Sequence, residues 1–128
     1  MKYYLTRTVD GDMVGVIEQV TQKLKEQGFG VLTDIDVRAT LKKKLDVDFR
    51  EYRILGACNP SFAYKALTTE PDIGVMLPCN VVIQNVGDGK MRVSAINPME
   101  SMKAVNNKEL EKVATEVASR LKLVVESL

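Results

Sequence analysis

The chain has 128 residues, enough for one domain spanning 1–128 that burial alone can hold without disulfides or metal. Its 45% hydrophobic and 27% charged content is that of an ordinary globular protein and excludes a disordered one. Lys plus Arg number 18 against 17 Asp plus Glu, aromatics are 5% and Trp is absent, so the basic excess and stacking rings of a nucleic-acid binder are missing.

Met1-Lys2-Tyr3-Tyr4 leads into an alternating segment rather than the apolar run of an export signal. The richest apolar stretch, Ile73 to Ile83, is broken by Gly74, Pro78 and Asn80 and is too short to span a bilayer. A cytoplasmic location with reduced thiols is the expectation, with no membrane association.

Residues 2–9 alternate with β-branched and aromatic positions and predict a first strand. Asp12 then caps a helix in which Met13, Val16, Ile17, Val20 and Leu24 recur on one apolar face. Gly28 is placed to end it in a left-handed conformation. Residues 29–35 predict the second strand. Asp36 caps a short helix carrying Val37, Leu41 and Leu45, with Lys42, Lys43 and Lys44 near its negative end.

Residues 49–58 supply the third strand. Asn59 at an N-cap and Pro60 at the first helical position start another short helix. Phe62, Ala63, Ala66 and Leu67 mark its buried side, and it must stop before Pro71. Residues 80–86 and 91–96 form a hairpin through Gly87-Asp88-Gly89-Lys90. The final helix carries Leu110, Val113, Ala114, Val117, Leu121, Val124 and Leu128 on one face, with Asn106 and Glu109 resembling a capping box.

This order predicts an α+β fold, a two-layer sandwich with helices packed on one face of a mainly antiparallel sheet. Strand order beyond the hairpin is not legible. An exposed sheet edge favours pairing into a homodimer.

Cys58 and Cys79 are the only cysteines, and each precedes an asparagine. If the third strand pairs antiparallel with the fourth, its end lies beside the start of its neighbour and both thiols share one rim. The strand-end asparagines Asn59, Asn80 and Asn97 can line the same rim, where the helix after Pro60 also aims free N–H groups suited to anions. Plainer explanations stand beside these. Buried cysteines act as small apolar side chains, and asparagines cap helices. Asn80 has no obvious turn duty.

Asp34 and Asp36 can project together, although a helix cap and a solvated carboxylate account for them. Met76, Met91, Met99 and Met102 can offer thioethers to a soft metal or fill gaps in the core. With no histidine in the chain, Ser–His–Asp and Cys–His triads are excluded. No phosphate-binding glycine loop is present.

The stretch GFGVLTDIDVRATLKKKLDVDFREYRILGACNPSFAYKAL, then PDIGVMLPCNVVIQ and INP, resembles the bacterial and archaeal domain of unknown function family 302. The resemblance runs from about Gly28 to Pro98. It implies a small α+β domain that pairs as a homodimer, with no agreed catalytic residue or cofactor.

Three functional readings follow. The first is a non-enzymatic module binding a small polar or anionic ligand at Cys58, Asn59, Cys79, Asn80 and Asn97. The second is a thiol-dependent redox or soft-metal protein. The third is a homodimeric structural or regulatory protein without a ligand. No catalytic residue, metal-ligand set or cofactor is assigned.

Overall fold

The protein is described by a computed structural model covering residues 2–128. Five strands, β1 (Tyr4–Asp10), β2 (Gly30–Asp36), β3 (Tyr52–Cys58), β4 (Cys79–Gly87) and β5 (Lys90–Ile96), form one sheet in the order β1-β5-β4-β3-β2. Every neighbouring pair is antiparallel. The five helices are α1 (Met13–Glu26), α2 (Val37–Leu45), α3 (Pro60–Thr69), α4 (Pro98–Ser101) and α5 (Lys108–Glu126). The fold is α+β, as the sequence pattern predicts.

Side chains alternate across a pleated strand, so one face of this sheet can be apolar while the other is mixed. Leu55 and Ala57 on β3, Cys79, Val81 and Ile83 on β4, and Met91, Val93 and Ala95 on β5 all point into one core. Against them α1 sets Met13, Val16, Val20 and Leu24, and α5 sets Val117, Leu121, Val124 and Val125. Each fully buried aliphatic side chain here stabilises the fold by about 1.5–3 kcal/mol. Because β1 and β2 occupy opposite edges, α1 must cross the whole sheet between them, and α5 returns beside it.

Local signals set the element ends. Asp12 Oδ1 accepts the Gly15 N–H at 2.8 Å, and Gly28 follows α1 with φ of 84°. Asp36 Oδ1 accepts the Ala39 N–H at 3.0 Å at the start of α2. Arg53 binds Asp34 at 2.9 Å and Asp36 at 3.5 Å, so both carboxylates are engaged in holding β2 to β3. The β4–β5 hairpin turns through Asp88 and Gly89, both left-handed, with a bulge before Gly87.

The structure departs from the sequence reading at several bounds, β3 beginning at Tyr52 rather than at residue 49. The cap of α5 is Asn107 rather than Asn106: Asn107 Oδ1 accepts from the Glu109 and Leu110 N–H groups, while Asn106 adopts a left-handed conformation one residue earlier. The turn α4, begun by Asn97 and Pro98, was not foreseen. No helix among the described residues is long and apolar enough to cross a membrane.

Candidate functional site

Ala57 on β3 pairs directly with Cys79 on β4, so Cys58 is the next residue beyond that pair at the same end of the sheet. Both cysteines are free thiols. Cys79 is buried on the core face, and burial pushes its thiol up to about 11, with a smaller like-charge contribution from Cys58. A thiol held protonated is a poor nucleophile and a poor metal ligand until it loses that proton. Cys58 is half-buried.

Both residues line a cavity of about 320 Å³ between these strand ends, α3 and the middle of α5. This lies at the lower end of the range seen for small-molecule sites. Its walls are Phe29 and Leu32 from β2 and its approach, Phe62, Ala63, Ala66 and Leu67 from α3, Leu77, Pro78, Pro98 and Met102, and Val113, Ala114 and Val117 from α5. The space exists because the facing positions are small. Ala57, Ala63, Ala66, Gly74 and Ala114 leave room that larger side chains would fill.

The α3 positions read from the sequence as a buried side are thus the roof of a pocket. Leu32 and Leu67 line it and are also 68% and 43% exposed, which marks its mouth.

Asn59 is the one amide side chain on the wall. It also caps α3, accepting the Phe62 N–H on Oδ1 at 3.4 Å. Asn80 and Asn97 also lie at this end of the sheet, but neither lines the cavity. Asn80 follows Cys79 along β4, so the two-residue pleat turns it to the opposite face, where it lines a shallow depression with Tyr4, Tyr52, Val82, Gln84 and Arg92. Asn97 is 5% exposed and engaged at both atoms of its amide. Its Oδ1 accepts the Met99 N–H at 3.2 Å, and its Nδ2 donates to the Lys2 carbonyl at 3.4 Å.

Arg120, which the sequence reading did not single out, stands beside the lining residue Phe62 without lining the cavity itself. It donates from Nη1 to the Gln27 carbonyl at 3.1 Å, pairs with Glu116 at 3.2 Å, and stands over the Phe62 ring at 5.1 Å from its centroid. Only the i, i+4 relation to Glu116 is visible in the sequence, and that reads as a solvated helix pair. Among the described residues no three Cys, His, Asp or Glu side chains group as metal ligands.

Residues 5–128 match the profile of a family described as a domain of unknown function, DUF302. No curated protein matches the chain. Among solved structures it is similar to the crystal structure of an uncharacterized conserved protein DUF302 from Bacillus stearothermophilus. The two are 28% identical over 98% of each chain, with a TM-score of 0.90.

Proposed function

This chain belongs to the DUF302 family, and on that footing we propose that it is a non-enzymatic binding module whose ligand sits in the cavity beside Cys58 and Cys79. The observation that carries this reading is an open cavity with almost wholly apolar walls. A void of this kind left unfilled forfeits dispersion contacts and hydrophobic burial, which an apolar molecule would supply. The lining narrows the ligand. Its body is apolar, and a polar group is met only at the Asn59 end, where three strand-end asparagines had pointed to a polar or anionic molecule.

Direct thiol chemistry fits less well, because burial keeps Cys79 protonated. Both free thiols suit the reducing cytoplasm, where we place the protein.

Native mass spectrometry of protein purified from its own host, with and without reductant, tests the reading. A co-purifying small apolar molecule is expected, unaffected by reductant and lost from Ala63→Phe, which fills the cavity from a half-buried position. Bare protein in both preparations, with no thermal shift across a panel of small hydrophobic compounds, overturns it. Reversible loss of two hydrogens under mild oxidant would instead favour a thiol cycle.

A second surface supports a homodimer. The sheet face away from α1 and α5 carries a depression of about 380 Å³ lined by Tyr3, Tyr4, Tyr52, Val82, Arg92 and Ile96 among others, with no helix residue on it. Tyrosine and arginine around an aliphatic centre are the composition of protein interfaces.

A further inference from the structure

The cavity gathers side chains of which this chain has few. Aromatic residues make up only 5% of it, and it holds three Phe and two Cys. Two of those Phe, Phe29 and Phe62, and both cysteines line this one space, together with Met102. Leucine and valine would make an apolar wall equally well. Rings and sulfur atoms add what aliphatic groups do not, a quadrupole and a polarizable surface that attract another ring by directed contacts.

Two further properties of the lining narrow the ligand. Among the described residues no charged side chain lines the cavity, so an ionised ligand would leave its charge unpaired in an apolar wall. The volume of about 320 Å³ is roughly twice that of a cavity known to take up benzene, about 150 Å³, which makes room for two fused rings rather than one. Phe62 is also held from outside the cavity. The Arg120 guanidinium and the Lys65 ammonium stand 5.1 Å and 5.7 Å from its centroid, so the ring is ordered before a ligand arrives.

We propose that the ligand is a neutral, flat molecule of two fused aromatic rings, held against Phe29, Phe62 and the sulfur-bearing side chains of Cys58, Cys79 and Met102. This deepens the binding-module reading and rests on it. Ring–ring and sulfur–ring contacts select the aromatic ligand over an aliphatic one of the same size.

Naphthalene and decalin test this, because they share one fused two-ring carbon skeleton and decalin is the saturated form. Hydrophobic burial alone gives decalin equal or tighter binding, since its apolar surface is no smaller. With no Trp in the chain, naphthalene emission reports its own binding, and displacement of naphthalene reads decalin. The intact protein is expected to bind naphthalene about tenfold more tightly, the effect of one ring–ring and one sulfur–ring contact together. Phe29→Leu and Phe62→Leu each keep an apolar wall and remove one ring, so the naphthalene-to-decalin ratio should fall several-fold in both. Decalin binding as tightly as naphthalene, or a ratio untouched in both variants, overturns the aromatic ligand and leaves the apolar pocket standing. Naphthalene binding that survives Ala63→Phe unchanged lies outside the cavity and overturns it too. If neither hydrocarbon binds the intact protein, both readings fall. Should the leucine variants not fold by circular dichroism, the ratio in the intact protein decides alone.

Discussion

Cys79 shows how position sets the chemistry of a side chain. Its side chain belongs to the buried cluster that also holds Ala57, Phe29 and Val117, so ionisation there means placing a charge in an apolar wall. The folded thiol titrates near 11 against an ordinary value of 9.0. A raised folded pKa means that the native state holds its proton where the unfolded chain releases it. The associated stability is therefore fully present below about pH 9 and falls as pH rises toward about 11, by on the order of 2 kcal/mol. Urea unfolding under reductant across that window should show this decline, less steeply in Cys79→Ala than in the parent. Equal slopes in the two proteins would show that the thiol titrates normally.

At the scale of elements, helix starts are local and helix packing is not. Asp12, Asp36 and Asn59 each cap the helix that the sequence assigns to them. For α5 the sequence offers two adjacent asparagines, and the structure separates their duties. Asn107 binds two backbone N–H groups of the first turn and reaches Glu70 with Nδ2 at 3.3 Å, tying α5 to the segment after α3. Asn106 makes the left-handed turn that lets this happen. Asn107→Ala should cost about 1–2 kcal/mol in urea unfolding. Asn106→Gly should leave stability within about 0.5 kcal/mol, since glycine adopts the same conformation freely.

At the scale of the molecule, the sheet has two unlike faces. One is closed by α1 and α5, and the helical layer leaves its gap at the α3 end, where the cavity lies. On the far face Val82 stands between the aromatic and polar residues of the depression. If that face joins two copies, Val82→Lys should convert a dimer to a monomer in sedimentation analysis, because the symmetry of such a contact sets like charges near one another. A parent protein that is already monomeric at micromolar concentration would remove the dimer. Binding of a small hydrophobic compound in the cavity should be unchanged in the monomeric variant, since the cavity opens on the other side.

Much of the architecture follows from the sequence alone. Periodicity and capping are local, so the apolar face of α1, the hairpin turn at Asp88-Gly89 and the stop before Pro71 are written in adjacent residues. That Cys58 and Cys79 lie at one end of the sheet also follows once β3 and β4 pair. The order of strands, with β1 closing on β5 rather than β2, depends on long-range burial that no window of sequence contains. Tertiary structure alone decided that Asn80 turns away, that Asn97 is spent on capping, and that Arg120 stands beside Phe62. The same is true of the cavity: alanines on α3 and α5 read as ordinary packing residues until two separate helices place them opposite one another with nothing between.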